Sequence, residues 1–101
     1  MGFGFLESVY EDAMCHELDL LKISYMRQVE LDLKYKSKVF ERKFRADLII
    51  DNKVLVENKS QKKLNSQDEA QLINYLKVTN MRVGLLFNFG SSQLEVVRRV
   101  F

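Results

Sequence analysis

The sequence predicts an α/β fold with the element order αβββαββ, in which helices flank a mixed central sheet. Residues 26–35 alternate strictly between apolar and polar side chains, which is typical of a half-buried strand. Residues 83–87 form a continuous apolar run, as expected of a strand buried on both faces. The 101 residues suffice for one hydrophobic core, and no proline, repeat or low-complexity tract marks a boundary. We therefore expect a single domain over residues 1–101.

The remaining elements follow from apolar spacing and capping signals. The first helix is predicted over residues 5–22, because side chains recur there at helical spacing and only Glu17 among them is polar. The repeat consists of Leu6, Val9, Tyr10, Ala13, Glu17, Leu20 and Leu21. Strands are predicted at about residues 39–50, 53–59 and 94–100. Ser66 followed by Glu69 fits a capping box that starts the second helix, which should run to about residue 78, with Asn80 as a left-handed terminator.

Composition narrows the class of protein. No apolar run is long enough to span a membrane, no secretory signal opens the chain, and Cys15 has no partner for a disulfide. We therefore expect a cytoplasmic protein without a membrane partner. The net charge of +2 is uneven, with −5 over residues 1–33 and +6 over residues 34–63. This basic block suits a polyanionic partner, or it is simply a solvated hairpin whose lysines protect its edges.

Charged residues interrupt the apolar strands inside this basic block. Glu57 and Lys59 end the third strand and, being two apart, share a face, while Asp47 comes from the strand before. Two carboxylates and an ammonium group suit a hard metal with a charge-stabilising lysine, and the main-chain carbonyl of Asn58 lies between them. Alternatively, Glu57 and Lys59 form only a surface ion pair.

A metal site here makes a demand on the hairpin between the second and third strands. A two-residue turn at positions 51–52 would pair Asp47 with Val56 and leave Asp47 and Glu57 on opposite faces. Asp47 is level with Glu57 only if the loop has an odd number of residues, such as residues 51–53, or if the strand has a bulge. The metal-site hypothesis therefore predicts an odd-numbered loop or a bulge, and a plain two-residue turn would count against it.

Three further polar residues are candidates. Gln71 and Tyr75 lie one helical turn apart on one face, where they could contact a phosphate or hold the lysine, or form an ordinary amphipathic flank. Glu7 stands in a G-x-x-E-x-x-Y spacing in the first helix. It is either a favourable partner of the helix dipole or an additional carboxylate for the metal.

The chain resembles a known family in the order of its elements, in Asp47, in residues 57–59 (ENK) and in Gln71-x-x-x-Tyr75. This combination is similar to the PD-(D/E)XK nuclease superfamily, with its restriction-endonuclease-like core, and to the RecB-like branch with a Q-x-x-x-Y motif. Closer still are the GxxExxY proteins, small prokaryotic members of that superfamily. Their pattern is matched by residues 4–10 (GFLESVY), 45–48 (RADL), 69–77 (EAQLINYLK) and 84–90 (GLLFNFG).

The resemblance implies roles for these residues. It makes Asp47 and Glu57 ligands of Mg²⁺ or Mn²⁺, Lys59 the catalytic lysine, Glu7 the first-helix acid, and Gln71 and Tyr75 supporting site residues. The Asn58 carbonyl is a further candidate ligand because of its position between Glu57 and Lys59. The implied activity is metal-dependent hydrolysis of phosphodiester bonds in nucleic acid, with DNA favoured. The alternative is a catalytically silent nucleic-acid-binding or protein-interaction module on the same fold. A homodimer or a protein partner is plausible under either hypothesis, since the domain is small.

Overall fold

A computed structural model describes residues 3–101, with side chains from Ser8 onward. The predicted order of elements is confirmed. The elements are α1 (Phe3–Leu20), β1 (Tyr25–Tyr35), β2 (Lys38–Ile50), β3 (Val54–Lys59), α2 (Ser66–Thr79), β4 (Val83–Asn88) and β5 (Glu95–Val100). The predicted bounds differ from these by one or two residues, and α1 begins and ends earlier than the predicted 5–22.

The five strands form one mixed sheet in the order β1-β2-β3-β4-β5. β3 and β4 are parallel, and the other neighbouring pairs are antiparallel. A parallel pair requires a crossover connection, and α2 supplies it between β3 and β4. The α/β class and the mixed sheet are therefore as predicted.

Each face of the sheet carries its own apolar cluster. Leu72 and Leu76 of α2 pack with Ile49, Leu55 and Leu86 on one face. On the other face, Cys15 of α1 packs with Leu48 and Val56. Neighbouring residues of β2 and of β3 thus point to opposite helices, as the strand period of two requires. We call these the α2 face and the α1 face.

α1 buries a different stripe from the one that its apolar repeat marks. Glu11, Cys15 and Leu18 are buried, whereas Leu20 and Leu21 are 64% and 66% exposed. The buried residues also have helical spacing, but they include a glutamate, which hydrophobic periodicity counts as exposed. The repeat therefore predicts the helix but does not identify its buried face.

α2 begins with a capping box that lies one residue before the predicted one. Asn65 is the N-cap, and its side chain accepts a hydrogen bond from the Asp68 N–H, while the Asp68 carboxylate accepts one from the Asn65 N–H. Ser66 and Glu69 are therefore not the capping pair. Asn80 ends the helix in the left-handed conformation, with φ 60° and ψ 27°, as predicted.

The loop between β2 and β3 has the odd length that the metal-site hypothesis demands. Ile50 pairs with Val54 and Leu48 with Val56, so the loop has three residues, 51–53. Asp51 and Asn52 both have positive φ, which short polar side chains tolerate well. Continued by one step, this register places Asp47 level with Glu57.

None of the helices described is long and apolar enough to cross a lipid bilayer.

Candidate functional site

The candidate site lies where β2 and β3 separate. Their pairing ends at Leu48 and Val56, one residue before Asp47 and Glu57. Beyond that point the Asp47 carboxylate replaces the backbone of β2 as the partner of β3, since its Oδ2 accepts the Asn58 N–H at 2.8 Å. Asp47 is therefore fixed directly beside the residues that end β3.

We call the gap between β2 and β3 beyond Leu48 and Val56 the fork. The main chain of Asn58 also faces it. In a strand, the N–H and C=O of one residue point to the same side. Because the Asn58 N–H is directed to Asp47, its carbonyl is directed to the same gap. The C=O of Lys59 is directed the other way, where it accepts the Phe89 N–H of the next chain segment. The predicted carbonyl ligand and the Asp47 carboxylate thus lie on one side of β3.

Lys59 is held from the α2 face. Its Nζ donates to Gln71 Oε1 at 3.2 Å and lies 3.9 Å from Asp68 Oδ1. Asp68 is itself fixed, because it closes the cap of α2 and accepts a hydrogen bond from Gln61 Nε2. Contact with the lysine, one of the roles considered for Gln71, is present in the structure. The lysine is positioned by an amide and a carboxylate from one helical turn.

Tyr75 lies near Glu57 but is held by packing. Its ring stacks on Phe44 of β2, with centroids 4.1 Å apart. Burial raises the pKa of the Tyr75 phenol, and the negative charge of Glu57 raises it further. The phenol is therefore neutral at physiological pH, and Tyr75 stands on the Glu57 side of the fork.

Glu11 is a site residue that the sequence reasoning missed. Its Oε2 accepts hydrogen bonds from Arg27 Nε at 3.2 Å and Nη2 at 2.8 Å. Its Oε1 accepts from Gln28 Nε2 at 3.4 Å and Asn58 Nδ2 at 3.3 Å. Glu11 thus joins α1 to β1 and to the end of β3. The sequence could have indicated Glu11 through its position four residues after Glu7, since residues four apart share a helix face and Glu7 was already a candidate.

A change of face in β1 and β2 accompanies this cluster. Arg27 bonds to α1 and lies opposite Leu48 of the α1 cluster, but Val29 and its partner Ala46 belong to the α2 cluster. Residues two apart normally share a face. The exception falls between them at Gln28, whose φ is 51°, a strained value for glutamine.

The environment of the Asp47 carboxyl reflects its place between these groups. Burial raises its pKa, and the nearby negative charge of Glu11 acts in the same direction. The hydrogen bonds from the Asn58 N–H and the Gln28 side chain, and the charge of Lys59, oppose that shift. A carboxylate that is costly to bury and surrounded by donors is well suited to gain from a cation.

The loop behind Lys59 is braced by Asn88, a second residue without a predicted role. Its side chain is fully buried. Oδ1 accepts from Gln61 N at 2.8 Å and Gly90 N at 3.2 Å, and Nδ2 donates to Gln61 O and to Glu95 Oε1. Gly90 allows this close approach, because a Cβ there would lie 2.5 Å from the Gln61 carbonyl oxygen. The connection from β3 to α2 is therefore firmly held.

Two other residues are quickly placed. The side chain of Glu7 lies outside the described side chains, so its predicted role stays a prediction. Cys15 is buried in the α1 cluster, and burial raises the pKa of its thiol, so it packs rather than reacts.

Half of the ten cations of the basic block lie on a hairpin arm, residues 33–43, at the tip of β1 and β2. Because β2 is antiparallel to β3, the arm leaves the sheet at the end where Lys59 lies, and it extends roughly 25 Å further at about 3.3 Å per residue. Lys43 pairs with Asp32, and Arg45 pairs with Glu30 next to the arm. Within residues 8–101, no ion pair involves these exposed cations: Lys34, Lys36, Lys38 and Arg42.

A mixed sheet between two helices, with two acids and a lysine where its central strand ends, is the arrangement of restriction-endonuclease-like folds. A family model of the PD-(D/E)XK nuclease superfamily matches residues 1–100, and the chain belongs to that superfamily. No curated protein matches it. The solved structure titled "Crystal structure of SSO0001" is similar over 96% of this chain, with a TM-score of 0.68 and 21% identity. This chain spans 51% of that one, and the likeness shows the fold.

The donor atoms at the fork suit the divalent metals that this superfamily generally uses. All of them are oxygens, from Asp47, Glu57 and the Asn58 carbonyl, and hard cations prefer oxygen ligands. In the described part of the chain, no three His, Cys, Asp or Glu side chains form a metal-binding group. A site with two carboxylates is nevertheless what Mg²⁺ commonly takes, with water and substrate phosphate in the remaining positions. The residues present therefore fit such an ion.

Proposed function

We propose that this chain is a metal-dependent nuclease that hydrolyses phosphodiester bonds in nucleic acid, with DNA the favoured substrate. The observation that carries the proposal is the fork. The three-residue loop sets a register that, continued by one step, brings Asp47 level with Glu57, and Asp47 accepts a hydrogen bond from the backbone of Asn58, one residue before Lys59. We further propose that residues 1–101 act as one domain of the GxxExxY type within the RecB-like Q-x-x-x-Y branch, and that it acts in the cytoplasm.

Asp47, Glu57 and the Asn58 carbonyl would hold Mg²⁺ or Mn²⁺, with Glu7 as a further candidate ligand. When bound, the ion would acidify a water molecule and offset charge on the phosphate. Glu11 would act from behind these ligands, because it orients the Asn58 side chain and Gln28 and is itself held by Arg27. The raised pKa of Asp47 favours this role, since a nearby cation relieves the cost of its burial.

Lys59 would stabilise the negative charge that develops on the phosphate, or orient the attacking water. Gln71 and Asp68 support this role because they fix the ammonium group without covering it: the Lys59 side chain remains 23% exposed. Tyr75 would complete the Glu57 side of the site, and its neutral phenol could donate to a phosphate oxygen. The chain's own contribution to catalysis is thus a preorganised cation beside a carboxylate pair.

The arm and the loop after β3 would bind the nucleic-acid backbone. Lysines at both places lie at the same end of the sheet as the fork. Each lysine that contacts a phosphate releases condensed counterions, so affinity should fall steeply as salt increases. Such contacts position a substrate but read little sequence.

The direct test is Mg²⁺- or Mn²⁺-dependent cleavage of single- and double-stranded DNA and RNA by the wild type and by Lys59→Ala. Lys53→Ala is the matched control, because Lys53 is an exposed lysine in the loop at the opposite end of β3. We expect loss of cleavage in Lys59→Ala and wild-type rates in Lys53→Ala. Equal activity of the two variants would refute the role of Lys59.

The arm favours a second candidate function, a nucleic-acid-binding module without catalysis. Its exposed cations lie outside the fork, so they could bind a polyanion even if the fork were inactive. Calorimetric titration with Mn²⁺ separates the two functions. Salt-sensitive DNA binding without metal binding or cleavage would favour the silent module.

A further inference from the structure

The open edge of the sheet at β5 has the features of an interface, and these are independent of the proposed nuclease site. Within residues 3–101, β5 is an edge strand of the sheet, paired with β4 on one side only. Its exposed residues are largely apolar, with Val96 and Val100 51% and 53% exposed and the preceding Leu94 56% exposed. An edge strand with apolar side chains is a template for another strand.

The pairing of β5 with β4 determines which β5 residues direct their N–H and C=O groups to β4 and which direct them to the open edge. The Phe101 N–H donates to Arg82 O, and the β4–β5 register places these two residues directly opposite each other. Hydrogen-bonded pairs recur every second residue in antiparallel strands. Residues 95, 97 and 99 therefore bond to β4, and the N–H and C=O groups of residues 96, 98 and 100 point to the open edge.

Charge then selects one way of pairing two copies of this edge. In an antiparallel pair of two β5 strands, the edge-facing residues 96, 98 and 100 of one copy must hydrogen-bond to edge-facing residues of the other. The sum of two paired residue numbers is then even, so the two-fold axis passes through a residue position and not between two residues. An axis at Glu95, Arg98 or Arg99 would oppose two identical charges, which is destabilising, and an axis at Val96 or Val100 would pair no opposite charges. An axis at Val97 places Glu95 of each copy opposite Arg99 of the other, and it pairs Val96 with Arg98.

The two charges of that match already lie on one face. Glu95 is held by Asn88 Nδ2 at 2.7 Å and by Leu64 N at 3.1 Å, and Arg99 lies 3.0 Å from Glu69 of α2. Both side chains are therefore on the α2 face, as is Val97, which packs on the α2 cluster. Opposite charges that share a face can pair across strands.

We propose that the chain forms a homodimer in which the β5 strands of two copies pair antiparallel about a two-fold axis at Val97, extending the sheet to ten strands. The contact is isologous, as two-fold symmetry requires. Backbone hydrogen bonds between Val96 and Arg98 supply the directional part of the contact, and the Glu95–Arg99 pairs select its register.

Sedimentation or light scattering over a wide concentration range tests this proposal with two Arg98 variants. Arg98→Pro removes an N–H that points to the open edge, so it should abolish the dimer while leaving the β4–β5 ladder intact. Arg98→Ala keeps that N–H and should remain dimeric. Circular dichroism checks that both variants are folded. A monomeric wild type, or a dimeric Arg98→Pro variant, would overturn the proposal.

A second pair of variants tests the register of the two β5 strands. If Arg98→Pro does not fold, this pair is the test of the dimer proposal. Arg99→Gln and Glu69→Gln both break the same ion pair within the chain, but only Arg99→Gln removes the charge that faces Glu95 of the other copy. Two symmetric pairs of ordinary strength predict a dimer weakened roughly two- to thirty-fold by Arg99→Gln. Equal effects of the two substitutions would show that this register is wrong.

Discussion

Removal of the Arg27 side chain tests whether Glu11 organises the candidate site. Arg27 donates twice to Glu11 Oε2, and it also pairs with Asp12 at 2.6 Å. The side chain of Glu11 is 9% exposed, whereas that of Asp12 is 68% exposed. One arginine thus serves a buried and an exposed acid, so the two contacts can be compared within one protein.

The expected magnitudes differ. Arg27→Met leaves the buried Oε2 without its two donors, and such a loss costs about 1–3 kcal/mol of unfolding free energy. Since Arg27 is itself partly exposed and water can reach it, we expect about 2 kcal/mol. For a domain of this size, that corresponds to a melting temperature lower by roughly 10 °C. Asp12→Asn removes an exposed ion pair and should cost less than about 1 kcal/mol.

Urea unfolding of both variants measures the difference. Adding Glu11→Gln to Arg27→Met should restore part of the stability, because a neutral amide is cheaper to bury than an unpaired carboxylate. If Arg27→Met is no more destabilising than Asp12→Asn, Glu11 does not depend on Arg27 and the proposed support of the fork is wrong.

Three further predictions concern the fork and the two apolar clusters. Asp47→Asn should raise the melting temperature at neutral pH and abolish cleavage, because burial raises the pKa of Asp47 and makes its charged form destabilising. This gain should shrink as the pH falls through the raised pKa and Asp47 itself becomes neutral, and a lower neutral-pH melting temperature in the variant would contradict it. Gly84→Ala should lower the unfolding free energy by about 1–3 kcal/mol, since the new Cβ would lie 2.9 Å from Leu72 Cδ1, and an unchanged urea midpoint would count against it. Cys15 should react slowly with a thiol reagent in native buffer and rapidly in denaturant, and rapid native modification would show that the α1 cluster is open.

The order of elements could be predicted from sequence because each element carries its own local signal. Strict alternation marks β1, the apolar run marks β4, and Asn80 ends α2. The loop between β2 and β3 was predictable for another reason. A metal site requires Asp47 beside Glu57, which excludes a plain two-residue turn and leaves an odd-numbered loop, as found, or a bulge.

What could not be predicted depends on contacts between elements distant in the chain. Glu11 and Arg27 are 16 residues apart, and nothing local to either residue indicates their pairing. The apolar repeat therefore does not mark the buried face of α1, since periodicity cannot anticipate a buried glutamate. The capping box presented a local ambiguity, because both Asn65–Asp68 and Ser66–Glu69 have the required spacing and only the geometry distinguishes them.

Because of the change of face at Gln28, Asp47 interacts with groups from both helical layers, α1 and α2. Its carboxylate reaches sideways to the backbone of β3, and it interacts with Glu11 of α1 and with Lys59, which α2 holds. An ion bound there would therefore tie together two layers that otherwise have separate apolar clusters. Opening of either layer would remove groups that hold the ion's surroundings in place, Glu11 from α1 or Gln71 from α2, so metal should slow amide hydrogen exchange in both helices. An ion at the fork would then stabilise the packing of both helices on the sheet as well as take part in catalysis.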